Sequence, residues 1–278
     1  MKTLTVRSSE YDPLNDFLFY KVMGEKGDEV QLLGFLNAVL GKTGRERFTS
    51  VEIIENKTFT PEVLGDKSAT LDVRAVLHGT TKVNVEVQLR NKRNMERRSL
   101  FYWSREYSQS LKSGQDYMEL PDVIAVNIVN YNFPRTAHYH SCFHLREDTE
   151  RDIILSGALE IHFINMVQYR KKMRGRLDDP LGRWLAWFDA GSPPELIREA
   201  VKMDEAIQTA DERIAYVTED EESVRAYWRR QMALSDRTSE INYARDEGIA
   251  QGRAEERQRL LELLNQGLSI EDIKQRLS

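Results

Sequence analysis

The chain has 278 residues, of which 40% are hydrophobic and 31% are charged, and its formal net charge is -5. This length suits one domain with an appended region or two small domains. The longest apolar runs are far shorter than the ~20 residues that a membrane-spanning helix needs, and no apolar signal region begins the chain. The single cysteine, Cys142, excludes an internal disulfide and is typical of a cytoplasmic protein. Because the charge balance is acidic, any nucleic-acid binding must come from a local basic patch.

Two helices are predicted at the start of the chain. Asp12 and Pro13 form an N-cap and first-turn proline, and Gly24 ends this first helix. A strongly apolar helix follows at about residues 28 to 40 and is expected in the core. Asp16 lies off the apolar stripe of the first helix. It is therefore either a solvated helix acid or a further acid that lies close to a metal site.

The central feature is a predicted β-hairpin at residues 70 to 90, preceded by a first strand at about residues 51 to 55. In each half of the hairpin apolar and polar residues alternate, which is the pattern of a half-buried strand. The turn leaves the register open by a residue. Because opposed residues of an antiparallel pair share a face, Asp72 must still lie across from Glu86 or Gln88. Cβ atoms would be ~5 Å apart if directly opposed and ~7 Å apart on the diagonal.

Two carboxylates on one sheet face repel each other unless a cation lies between them. Asp72 and Glu86 could bind a hard divalent ion such as Mg²⁺, which prefers oxygen ligands. The alternative is a solvated sheet face on which Arg74, Lys82 and Arg90 neutralise the acids. The spacing alone leaves both interpretations open.

A basic segment follows the hairpin and leads into a helix predicted from Met95 to Lys112. We expect the apolar stripe of this helix to pack on the sheet, at Leu100, Trp103, Tyr107 and Leu111. The basic residues could be ordinary solvated charges or contacts to nucleic-acid phosphates; they are Arg90, Lys92, Arg93, Arg97 and Arg98. An apolar strand at residues 123 to 129 then completes an α-β-β-β-α-β order.

The next predicted strand places His138, His140, Cys142 and His144 on one face. Same-face neighbours on one strand lie ~6.5 to 7 Å apart, so four in a line cannot surround a single zinc ion. We therefore predict a polar strand face rather than a zinc site.

The motifs in this order resemble those of the PD-(D/E)XK nuclease-type transposases, also called recombination-promoting nucleases. The resemblance rests on Asp72, on Glu86-Val87-Gln88 and on the basic aromatic helix that follows, which reads RRSLFYW from Arg97. It covers nearly the whole chain, through further motifs at Asn15 to Lys21, Gly65 to Lys67, Gly114 to Tyr117, Tyr139 to Ser141 and a glycine-spaced C-terminal helix.

The resemblance implies a restriction-endonuclease-like α/β core, with an αβββαβ mixed sheet flanked by helices. It also implies a Mg²⁺-dependent endonuclease that hydrolyses DNA phosphodiester bonds in recombination, mobile-element activity or defence. Mn²⁺ or Ca²⁺ could substitute for Mg²⁺. Asp72 and Glu86 would hold the ion, the backbone carbonyl of Val87 would add a ligand, and Asp16 would be a further acid of the site.

One residue departs from the pattern that gives the superfamily its name. Gln88 stands where that pattern has lysine, and a neutral amide can orient water but cannot offset charge. Lys67, Arg90 or Lys92 could supply the missing cation. The alternative is a degenerate nuclease fold that acts by binding nucleic acid or protein.

The chain is expected to divide into a nuclease-like domain at residues 1 to 190 and a helical region at residues 191 to 278. A leucine cluster at residues 260 to 264 is too apolar to remain exposed on a lone helix. We expect it to pack on the protomer or to form a homodimer through the C-terminal helices.

Overall fold

A mixed sheet of six strands lies at the centre of the described part of the chain. The computed structural model describes residues 10–27, 29–54, 73–134 and 136–267. The strands are β1 (Val51–Ile54), β2 (Val73–Leu77), β3 (Thr81–Gln88), β4 (Val123–Val129), β5 (His140–Phe143) and β6 (Leu159–Asn165). The helices are α1 (Asp16–Met23), α2 (Val30–Val39), α3 (Met95–Ser108), α4 (Met166–Lys172), α5 (Pro180–Phe188), α6 (Pro194–Met203), α7 (Glu205–Glu219) and α8 (Glu221–Asn265).

The strand order across the sheet is β1-β2-β3-β4-β6-β5. The first three strands pair antiparallel, β3, β4 and β6 run parallel, and β5 pairs antiparallel with β6. Helix α3 supplies the crossover that a parallel β3-β4 pair requires. The α-β-β-β-α-β order and the mixed α/β class predicted from the sequence are confirmed.

The hairpin has the predicted parity. Val73 lies opposite Val85 and Ala75 lies opposite Val83, so the apolar residues of the two strands share a face. The register is fixed because a one-residue slip would expose every one of these side chains.

That apolar face packs against α1, α2 and α5 to form the main core. Aromatic rings fill it, and Phe35 makes edge contacts with Trp184 and Phe188 at centroid distances of 5.6 and 5.3 Å. Helix α1 begins later than predicted. Its N-cap is Asn15, whose side chain accepts hydrogen bonds from the backbone of Phe17 and Leu18.

Helix α3 covers the opposite face of the sheet. Its buried stripe is Met95 and Ser99, continued by half-buried Trp103, whose indole N–H donates to the Val123 carbonyl at 2.9 Å. The predicted stripe was partly wrong, because Leu100 is 50% exposed. A small polar residue at position 99 lets the helix approach the sheet where polar strand residues lie beneath it.

The first compact unit extends beyond residue 190 and ends at Tyr227. Helices α6 and α7 contribute buried apolar side chains to the main core, namely Ile197, Ala200, Val201, Ile207, Ala210 and Ile214. The second unit runs from Trp228, and its described residues continue α8. None of the helices in the described ranges is long and apolar enough to cross a membrane.

Candidate active site

The acidic end of β3 lies inside the protein. Strand alternation directs Glu86 and Gln88 to the face that α3 covers, where they are 2% and 6% exposed. In the neighbouring strand, Asn127 pairs directly with Glu86 and is 3% exposed. A carboxylate buried this deeply does not belong to the solvated face of an antiparallel sheet.

Arg98 on α3 balances the charge of Glu86. Its guanidinium lies 2.5 Å from Glu86 Oε1, and the Arg98 side chain is only 17% exposed. The same guanidinium lies over the Tyr102 ring, 5.0 Å from its centroid. Burying a carboxylate costs free energy unless it is paired, so this contact makes the position of Glu86 tolerable.

Arg74 and Lys82, which the sequence suggested as neutralising partners of the acids, both contact Glu106 of α3. Lys82 Nζ lies 3.1 Å from Glu106 Oε1, and Arg74 pairs with the other carboxylate oxygen. Burial raises the pKa of Glu106, but the hydrogen bond from Lys82 and the charge of Arg74 outweigh it, so this pKa is lowered overall. These three residues tie the outer part of the hairpin to α3.

Sequence reasoning missed the polar residues under α3. Ser99 Oγ donates to Asn127 Oδ1 at 3.2 Å, and Asn127 Nδ2 donates to the His162 carbonyl at 3.1 Å. The available signal was Asn127 itself, which interrupts the otherwise apolar run from Val123 to Val129. The bonds fix Asn127 as a rigid neighbour of Glu86.

Tyr131, just beyond β4, belongs to the same environment. Burial raises its pKa to about 12, and the negative charges of Glu86 and Glu96 add to the effect. Within the described residues its buried hydroxyl has no hydrogen-bond partner. The charge of Glu86 affects the pKa of this hydroxyl, and a buried hydroxyl without a partner is expected where a further polar group binds.

The Val87 carbonyl points to the β2 side of β3. Lys82 N–H donates to the Asp122 carbonyl at 2.9 Å and Asn130 N–H donates to the Gln88 carbonyl at 3.1 Å, so even-numbered residues of β3 pair with β4. Backbone direction alternates along a strand, which turns Val87 the other way.

Asp72 and Lys67 lie outside the described residues. Asp72 directly precedes Val73, whose partner Val85 directly precedes Glu86. Asp16 is half-buried at the start of α1, and its carboxylate accepts a hydrogen bond from Phe17 N–H at 2.9 Å.

The basic segment, residues 90 to 98, runs from the end of β3 into the first turn of α3. Lys92, Arg93 and Arg97 are exposed and Arg90 is half-buried, whereas Arg98 turns inward to Glu86. The exposed cations therefore follow the buried Glu86 within about ten residues of sequence. Gln88 reaches into the segment as well, because its Nε2 donates to the Arg90 carbonyl at 3.0 Å.

The donor set at this end of β3 fits a hard cation. It comprises the Glu86 carboxylate and the Val87 carbonyl, both oxygen donors of the type that Mg²⁺ prefers, and the Gln88 amide lies on the same face as Glu86. The partnerless Tyr131 hydroxyl supports the fit, since it can donate to a water of such an ion.

The αβββαβ mixed sheet flanked by helices is consistent with a PD-(D/E)XK nuclease-like fold. The model of the PD-(D/E)XK nuclease family transposases matches residues 13–244, and the chain belongs to this family. No curated protein and no solved structure matches the chain.

Proposed function

We propose that the protein is a Mg²⁺-dependent endodeoxyribonuclease that hydrolyses phosphodiester bonds in DNA recombination, mobile-element activity or defence. The observation that carries this proposal is the burial of Glu86 among oxygen donors on the third strand of the family's fold. The neighbours of Glu86 described above, Arg98 and Asn127, are not nucleophiles, which favours water as the attacking group.

Asp72 and Glu86 would hold the ion, with the Val87 carbonyl as a further ligand. Bound there, Mg²⁺ supplies a more acidic water and charge compensation for the phosphate. Gln88 would orient the attacking water through its amide oxygen, because its Nε2 is already committed to the Arg90 carbonyl. Asp16 would be an additional acid of the site, as the family resemblance implies.

Arg98 is the structure's own candidate for the cation that Gln88 cannot provide. It already lies against Glu86, and release from this pair would turn the guanidinium toward a bound phosphate. Lys67, Arg90 and Lys92 remain alternatives from the sequence. A bidentate guanidinium suits a phosphate better than a lysine does.

The basic segment would contact the DNA backbone through Lys92, Arg93 and Arg97. These side chains are exposed and follow the candidate ligands within a few residues of chain. Phosphate contacts of this kind fix the position of the duplex and make binding weaken with salt.

The second candidate is a degenerate nuclease fold that binds nucleic acid without cutting it. The specific observation in its favour is the Glu86–Arg98 pair, since a guanidinium can neutralise the acid without any metal. The two candidates predict the same binding surface and differ in chemistry.

A plasmid-nicking assay with Mg²⁺ or EDTA separates the two candidates. Glu86→Gln is nearly isosteric and should lower the cleavage rate at least 100-fold, as should Asp72→Ala, because each removes an ion ligand. Glu52→Gln is the matched control, since Glu52 is an exposed glutamate of β1 in the same sheet. Cleavage that persists in EDTA would contradict metal dependence, and DNA binding without cleavage by the wild type would favour the degenerate fold.

We also propose that the C-terminal helix makes the protein a homodimer. Beyond Tyr227, several large apolar side chains of α8 are exposed, including Ile241, Tyr243, Ile249, Leu261 and Leu264. Apolar surface left in water costs about 25 cal/mol per Å², which favours self-association. A dimer would carry two nuclease centres, one for each strand of a duplex.

A further inference from the structure

A cluster of metal-ligand side chains lies near the β5 edge of the sheet, on and just after strand β5 and on strand β6. Cys142 of β5 pairs directly with His162 of β6. Glu160 is two residues before His162 and therefore shares its face, and His144 follows Cys142 by the same spacing. The pairing thus supplies what a single strand of histidines lacked, namely ligands from a second element.

The ligand atoms of the cluster converge on the Cys142 sulfur. Cys142 Sγ lies 3.9 Å from His144 Nε2, 3.7 Å from Glu160 Oε1 and 3.6 Å from His162 Nε2. His144 Nε2 lies 3.9 Å from Glu160 Oε2. Cys142, His144 and Glu160 each offer a ligand atom within 4.8 Å of the other two.

The edges from the Cys142 sulfur and the His144–Glu160 edge are close to those of a tetrahedral zinc site. Zn–S bonds of ~2.3 Å and Zn–N or Zn–O bonds of ~2.0 to 2.2 Å place neighbouring ligand atoms ~3.5 Å apart. The edges from the sulfur, 3.6 to 3.9 Å, exceed this by a few tenths of an ångström. His162 Nε2 and Glu160 Oε1 are closer, at 2.7 Å, because they share a hydrogen bond that a bound ion would replace.

A fifth residue orients the buried ligand. His140 Nε2 lies 2.8 Å from His162 Nδ1, and His162 is 3% exposed. A ligating histidine usually hydrogen-bonds through its other ring nitrogen, which fixes the ring and its tautomer. His140 holds His162 with Nε2 directed at Cys142 and Glu160.

We propose that Cys142, His144, Glu160 and His162 form a structural zinc site, with His140 as the positioning residue of His162. A thiolate with two imidazoles selects a borderline-soft ion such as Zn²⁺ over Mg²⁺. Four protein ligands leave no open position, which is typical of structural rather than catalytic zinc. Binding releases the thiol proton of Cys142, because the ligand is the thiolate.

This site is separate from the candidate active site. In the register of the sheet, His162 shares a face with Val126 and Val85, whereas Glu86 shares the other face with Asn127. The two sites therefore lie on opposite faces, on different strands. The zinc ion would join the edge strand β5 to β6.

Cobalt titration of the full chain, stripped of metal by chelation, tests the proposal. Tetrahedral d–d bands and a near-ultraviolet thiolate charge-transfer band should appear and should saturate at one equivalent of Co²⁺. Cys142→Ser should abolish the charge-transfer band, and His144→Ala and Glu160→Gln should each weaken binding at least 10-fold. His140→Ala should weaken it about 10- to 100-fold with the thiolate band retained, as expected for a residue behind a ligand.

His138→Ala is the matched control, because His138 is an exposed histidine of the same stretch outside the cluster. This variant should bind Co²⁺ like the wild type. Circular dichroism checks that each variant is folded. The cobalt spectrum of the wild type tests for the thiolate ligand even if a variant fails to fold. A wild-type complex without a thiolate band, the lack of stoichiometric binding at micromolar Co²⁺, or unchanged affinity in both His144→Ala and Glu160→Gln would overturn the proposal.

Discussion

Replacing Arg98 with methionine tests whether the Glu86–Arg98 pair supports the buried acid. Methionine keeps much of the apolar stem and removes the charge. Glu86 is 2% exposed and its partner 17% exposed, at a separation of 2.5 Å. Removing one partner of a buried pair costs about 3 to 5 kcal/mol. We expect about 3 kcal/mol, the lower end, because Arg98 is partly exposed and Glu86 has further interactions.

A double-mutant cycle isolates the pair. Glu86→Gln, Arg98→Met and the double variant would be unfolded with urea in EDTA and followed by circular dichroism. The double variant should lose less than the sum of the single losses, with a coupling of about 1 to 3 kcal/mol, because neither charge then remains buried alone. The comparison pair is Glu195 and Arg198, which are 2.9 Å apart but 73% and 42% exposed.

The exposed pair should give a coupling below about 0.5 kcal/mol. A coupling at Glu86 and Arg98 no larger than this would refute the view that Arg98 compensates the buried carboxylate. Mg²⁺ supplies a second readout. If the ion takes over as the counter-charge of Glu86, it should raise the unfolding free energy of Arg98→Met more than that of the wild type.

Three further outcomes are expected. Gly34→Ala should destabilise the protein by about 1 to 3 kcal/mol in urea unfolding, since the added Cβ would lie 2.3 Å from the Ala206 Cβ. Adding Ala206→Gly to this variant should restore stability, and a double variant as unstable as Gly34→Ala would contradict this helix contact. Glu106→Gln should cost stability at pH 7, and this cost should shrink as pH falls below 4.5, because a carboxyl whose pKa is lowered in the folded state contributes stability above its unfolded pKa and loses that contribution as pH falls through the folded one. A pH-independent cost would contradict the assignment. Deleting residues 244 to 278 should convert a dimer to a monomer in light scattering. A truncated protein that is still a dimer would show that the C-terminal helix does not mediate self-association.

The hairpin was predictable because a strand has a period of two residues. Alternation decided which side chains share a face, so the parity of Val73 with Val85 followed without knowledge of the turn. The helix α3 was harder. Apolar spacing predicted that Leu100 would be buried. In the structure Ser99 is buried instead and Arg98 faces the sheet, because the sheet surface beneath the helix is polar at Glu86. Periodicity cannot report what the opposing surface contains.

The zinc cluster shows the same limit more sharply. From the sequence, the histidines and Cys142 lie in one line, and that arrangement cannot close around an ion. The pairing of β5 with β6 brings in Glu160 and His162, about 20 residues further along the chain, and no local pattern specifies this register. Helix starts are ambiguous for a related reason, because Asp and Asn are both good N-caps: Asp12 accepts from Leu14 N–H in the turn before the helix, and buried Asn15 caps the helix itself.

Two metal chemistries on opposite faces of one sheet make simple chelation ambiguous. EDTA would remove a hard ion from Glu86 and zinc from Cys142, so a loss of cleavage in EDTA alone does not locate the ion that matters. Donor chemistry separates them, since Mg²⁺ has little affinity for a thiolate and imidazole set. After chelation, Mg²⁺ alone should restore cleavage as long as the edge of the sheet stays folded. A requirement for zinc that persists in Cys142→Ser would instead place zinc at Glu86 and contradict the division between the two faces.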